Sequence, residues 1–124
     1  MLTLQFLPYS EIESLSSGSK IKKILNLVRE NKIVLIEGRL KPTEETDLIQ
    51  RTMEFVNKSF KGIELCTIYP NNKDKFLKEF LINILIGDRT GLTVVGPANV
   101  VKEIKRDPNK ILLLTENLKR KRKR

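Results

Sequence analysis

The 124-residue chain is the size of one domain, and its 40% hydrophobic and 31% charged content is that of a globular protein with a single core. It has no histidine and one cysteine, Cys66, which removes the essential parts of zinc centres, of Ser/His and Cys/His nucleophilic pairs and of internal disulfides. The formal charge of +9 is concentrated at one end: Lys119, Arg120, Lys121, Arg122, Lys123 and Arg124 carry six of those charges and leave +3 for the rest, so basicity belongs to a tail and not to a folded face.

In chain order, "LTLQFL" places Leu2, Leu4 and Phe6 on one face at period two, which predicts a first strand ended by Pro8. The opening lacks a basic segment and a small-residue cleavage site, so it reads as that strand and not as a signal peptide. Ser10 and Glu13 have capping-box spacing for a short helical turn, and Ser19 is expected to cap a longer helix with Ile21, Ile24, Leu25 and Val28 buried and Lys20, Lys22, Lys23 and Arg29 in water. The apolar run Ile33 to Ile36 reads as a central strand covered on both faces. Gly38 allows a turn, Pro42 and Thr43 open a second helix, and Glu44, Glu45 and Asp47 lie in its first turn, where the helix dipole favours anions. In that helix Ile49, Met53, Val56 and Phe60 form the apolar repeat.

"IELCTIY" after Gly62 predicts a third strand, with Ile63, Leu65 and Thr67 on one face and Glu64, Cys66 and Ile68 on the other. A third helix is expected over Lys73 to Ile86, a fourth strand in "TGLTVVG", a fourth helix over Ala98 to Arg106 and a fifth strand in "ILLLT", Ile111 to Thr115. Strands and helices alternate throughout. The expectation is one α/β sandwich over residues 1–116, with about five strands in a mostly parallel or mixed sheet, followed by a basic, disordered tail over 117–124; a ferredoxin-like α+β arrangement is the alternative. No apolar run reaches the roughly 20 residues of a membrane span.

The glycines of "GDRTGLTVVGPANVVKEIKRDP" do not make a phosphate loop. Leu92 follows Gly91 and Pro97 follows Gly96, where a Walker loop needs Gly-Lys-Ser/Thr, and the spacing of Gly87, Gly91 and Gly96 does not fit a dinucleotide turn. Pro97 also removes a donor from the turn. No cofactor is expected. Gly96 is read as permitting tight backbone geometry, with Pro97 at the helix start; the functional alternative is that the amides after Pro97, with Asn99 and Lys102, accept an anion or a partner carboxylate.

Together, "LTLQFLPYSEIE", "KIVLIEGRLKPTEETDLIQRTME", "GIEL" and "TGLTVVGPANVVKEIKRDPNKILLL" resemble the archaeal OapB/ArvB family, a small domain of unknown function, over Leu2 to Leu114. The resemblance implies a non-catalytic companion of an Era-like small GTPase encoded beside it, in a cytoplasmic setting tied to vesicle formation at the membrane. It implies no catalytic residues, and the terminal basic run stands outside the family's core.

Two surfaces are candidates for contact. In "KFLKEFLINILIG", Phe76, Leu77, Phe80, Leu81, Ile84 and Leu85 share the face expected in the core, while Ile82 and Ile86 fall opposite, beside Lys75, Lys78 and Glu79. Ile82 and Ile86 are read as a surface for a partner or for a second copy of the chain. The tail is a candidate for anionic lipid or RNA, at about 1 kcal/mol per basic residue on a charged membrane; against RNA readout by the body, no aromatic pair is patterned on a strand to stack bases. Removing residues 119–124 is predicted to leave the melting temperature unchanged and to weaken binding to anionic vesicles or RNA. If the contacts are duplex phosphates, six of them give a slope of about −5 in log affinity against log salt; undiminished affinity after truncation would place the site in the body.

Overall fold

The computed structural model describes residues 3–30, 32–54, 62–70, 74–87 and 90–114. Four strands are present among them: β1 (Thr3–Leu7), β2 (Lys32–Glu37), β3 (Ile63–Ile68) and β4 (Leu92–Pro97), in the sheet order β1-β2-β4-β3. β1 and β2 are parallel, joined across α1 (Tyr9–Ile12) and α2 (Ser17–Arg29), and β4 runs antiparallel to both of its neighbours. α3 (Pro42–Met53) links β2 to β3, α4 (Lys75–Ile84) precedes β4, and α5 (Ala98–Arg106) follows it.

Two apolar clusters lie on opposite faces of this mixed sheet. Leu7, Val34, Ile36 and Val95 pack with Ile12 of α1, with Ile21, Ile24, Leu25 and Val28 of α2 and with Leu48 of α3. Ile33, Leu35, Leu92 and Val94 point the other way, into Leu77 and Leu81 of α4 and Val101 and Ile104 of α5. The alternation follows from the period-two geometry of a strand, and it makes β2 buried along almost its whole length. The architecture is a single α/β sandwich. Helices on both faces exclude the ferredoxin-like alternative, in which one face stays uncovered.

Several local expectations are corrected. "ILLLT" is not a fifth strand: residues 110–114 are helical (α6), with Ile111 buried in the second cluster. The start is set by "DPN", where Asp107 accepts the Asn109 amide at 3.2 Å and the Lys110, Ile111 and Leu112 amides turn back to Asp107, Pro108 and Asn109; Asp followed by Pro is a helix-start signal that outweighs a short apolar run. Ser16, not Ser19, caps α2, accepting the Ser19 amide. Pro8 occupies the N-cap of α1, so Ser10 and Glu13 make no capping box there. α4 is described from Lys75 to Ile84, leaving Ile86 beyond its end, and its core-facing arc excludes Phe76, which is 71% exposed.

The buried side of α3 is also one residue out of step with its apolar repeat. Glu44, Leu48 and Thr52 face inward, while Ile49 and Met53 are exposed; Val56 and Phe60 lie outside the described residues. The polar members of the inward row are satisfied, Thr52 by donating to the Ile49 carbonyl at 2.8 Å and Glu44 by the network described below.

Gly96 is a packing glycine. A Cβ there would lie 3.3 Å from Ile33 Cγ1 and from Val101 Cγ2 and 3.4 Å from Ile33 Cα, so the contact lets α5 close against the sheet. Gly38 has a different reason, a φ of 101° at the turn leaving β2. Gly96→Val is predicted to cost about 1–3 kcal/mol through overpacking, read as a lower denaturation midpoint with an unchanged slope. Stability equal to the parent's would show that the corner has room and that Gly96 is there for another reason.

Candidate functional site

The sheet ends where β1 and β2 finish in a cleft of ≈ 360 Å³, walled by α1 and by the first turns of α2 and α3. The carboxyl ends of parallel strands are where α/β folds place their ligands. The walls mix apolar Ile12 and Leu15 with Tyr9, Ser17, Lys20, Arg39, Lys41 and the carboxylates of Glu13, Glu37 and Glu44.

Glu37 and Glu44 are 3% and 4% exposed, and a carboxylate so placed is stable only if its oxygens find donors. Glu37, the last residue of β2, accepts the Tyr9 amide at 2.8 Å and the Gly87 amide at 2.5 Å, so it joins the start of α1 and the chain leaving α4 to the central strand. Glu44 accepts the Ser17 hydroxyl at 2.8 Å, the Lys41 amide at 2.9 Å and the Lys20 ammonium at 3.1 Å. Burial raises the Glu44 pKa, but the Lys41, Ser17 and Lys20 bonds together outweigh it and hold the carboxyl below its usual value. Lys20, expected in water, is therefore drawn in to Glu44.

Arg39, in the cleft's wall, lies over the ring of Tyr69 beyond it, 5.5 Å from its centroid, a cation-π contact that orients both. Cys66 is half-buried, and burial, with Glu64 adding to it against Lys105, pushes its thiol up to about 11. At neutral pH it is a thiol and a poor nucleophile. No three His, Cys, Asp or Glu side chains gather as a metal site among the described residues.

The candidates named from sequence separate into two regions. Ile82 is 41% exposed on α4 and Ile86 is 79% exposed just beyond it, next to Gly87 and hence to the Glu37 end of the sheet. Gly96 and Pro97 lie at the other end, since Leu92 pairs with Glu37 and Val95 with Val34; strand rise separates the two ends by about 15 Å. There Gly96 is buried, Pro97 is half-buried at the N-cap of α5, and Asn99 and Lys102 are exposed on its first turns. The Ala98 amide already donates to the Gly62 carbonyl at 3.2 Å, which takes one donor from the proposed anion corner. Lys119, Arg120, Lys121, Arg122, Lys123 and Arg124 lie outside the described residues.

Sequence reasoning missed Glu37, Arg39 and Tyr69 as members of one site. The available signal was a lone carboxylate closing an otherwise apolar central strand, "KIVLIEG", because such a residue must recruit donors from other segments.

The family model described as Origin-associated protein OapB matches residues 12–116, from the end of α1 through α6 and short of the basic run. No curated protein matches the chain, and no solved structure does.

Since the Glu44 carboxyl in the folded chain lies below the usual 4.5, its stabilisation is complete above the unfolded-state value and disappears as pH falls through the lower folded-state value. Glu44→Gln is predicted to lose about 1–3 kcal/mol at neutral pH, with the gap to the parent narrowing below pH 4.5. Urea denaturation of both proteins across that range checks the sign; a gap that widens in acid would refute it.

Proposed function

Because the chain belongs to the OapB family, we propose that it acts as a non-catalytic partner of an Era-like small GTPase, an adaptor in membrane-linked vesicle formation. The observation that carries this reading is the exposure of Ile82, at 41%, and Ile86, at 79%, on α4 and its exit. Full burial of one such side chain contributes about 1.5–3 kcal/mol, so two of them can supply much of a transient interface, whereas exposed they contribute nothing. The GTPase itself is what the family resemblance implies, together with its cytoplasmic setting. The six consecutive basic residues at the end of the chain favour a second, compatible reading, a reversible tether to anionic lipid, with RNA as the other polyanion they suit.

The decisive variant is Ile82→Asp with Ile86→Asp. Both side chains are exposed, so the melting temperature is expected to stay close to the parent's while capture of the neighbouring GTPase, tested with GTP and with GDP, falls at least tenfold. A variant that keeps both its melting temperature and its full GTPase binding would remove this surface from the adaptor reading.

A further inference from the structure

We propose that the Glu37 end of the sheet, through Arg39, Lys41, Tyr69 and Ile86, is a preorganised docking surface for a protein segment that presents acidic side chains around an apolar anchor. The proposal rests on the adaptor reading for the existence of a partner, and it adds the place of contact and the partner's chemistry.

Ile86 is exposed, and the residue after it is tied down. The next amide, Gly87, is bonded to the buried Glu37 carboxylate at 2.5 Å, and at the far end of the same connection the Gly91 carbonyl accepts the Gly38 amide at 2.8 Å. Both ends of the segment are thus tied to β2 and its turn, and a large apolar side chain is held out in water by a buried carboxylate. Gly91 leads directly to Tyr69: a Cβ on it would lie 3.6 Å from the Tyr69 ring. Arg39 lies over that ring at 5.5 Å, and Lys41 follows two residues later at the entrance to α3.

The charge of this surface decides the partner. Neither the Arg39 guanidinium nor the Lys41 ammonium is ion-paired with a carboxylate among the described residues, whereas the Lys20 ammonium deeper in the cleft is already spent on Glu44. Deeper in the cleft lie the buried carboxylates of Glu37 and Glu44, which disfavour a phosphate dianion there. Cations at the rim and carboxylates inside suit side chains that stop at the rim, not a nucleotide or free phosphate that must enter. Arginine and tyrosine are also residue types on which interface energy concentrates, and side chains already held in place leave little ordering to be done on binding.

The test uses the full chain and, as probe, an amphipathic helical peptide with leucines on one face and glutamates on the other. Amide shifts of Arg39, Lys41, Tyr69 and Ile86 are expected to move on titration. Arg39→Glu with Lys41→Glu is expected to bind at least tenfold more weakly at about 0.1 M salt, with the difference shrinking near 1 M as screening shortens from about 10 Å to about 3 Å. No shift at these residues, equal affinity of the charge-reversed variant, or equally large shifts with inorganic phosphate would each overturn the proposal. The same variant is then measured against the GTPase. If the parent chain does not bind the GTPase, the adaptor reading fails while the peptide result stands; if the GTPase binds parent and charge-reversed variant alike, this surface is wrong and the adaptor reading survives.

Discussion

Strand β2 is hydrogen-bonded along both edges, to β1 and β4, covered on both faces, and closed by a carboxylate. The first two properties make it the centre of the sandwich. The third imposes a demand that the apolar core cannot meet, because a buried carboxylate without donors costs several kcal/mol. Glu37 meets it with backbone amides from two segments distant in sequence, at Tyr9 and Gly87. The position of α1, the path of the chain out of α4 and the exposure of Ile86 all follow from where those amides must go.

Glu44 solves the same problem differently. Its oxygens draw on a side-chain hydroxyl, a helix-start amide and an ammonium, and in doing so they lock the first turn of α3 onto that of α2. Removing any one of these donors would leave the others bonded. Among the described residues the opposite end of the sheet has no comparable buried polar construction. It is closed by the absence of a side chain at Gly96, against Ile33 and Val101. One end of the molecule is therefore made by charge satisfied in a small volume and carries the cleft, while the other is made by close backbone approach and carries none of the cleft's lining.

Most of the layer architecture could be read from the residues. α2 shows its buried stripe openly, and the run from Ile33 to Ile36 reads as a strand covered on both faces. The failures share a physical cause: they occur where polar atoms decide the structure and apolar counting has nothing to weigh. The inward row of α3 contains Glu44 and Thr52, so the more hydrophobic neighbouring row, Ile49 and Met53, looked like the core side. The segment Ile111 to Leu114 has no periodicity, and its helix is announced by Asp107 and Pro108, not by its own side chains. Of the site, Ile82 and Ile86 were legible as surplus apolar residues. The meeting of Arg39 with Tyr69, and the tie of the residue after Ile86 to Glu37, were not, since they depend on strand order and on the partners of Glu37.

That strand order also governs how the chain can be assembled. β4 is last in sequence but sits between β2 and β3, so a chain synthesised only through β3 leaves those two strands a full strand width short of one another, roughly 10 Å apart in the finished sheet. They cannot bond until Leu92–Pro97 arrives to fill the gap, and α5, which packs on β3 and β4, arrives later still. The half-sandwich of β1, α2 and β2 can collapse early through nearby contacts, but the second apolar face lacks β4 and α5 until the end of the domain has left the ribosome. Completion is thus a late, long-range event, and during synthesis the central strand β2 waits with one edge open.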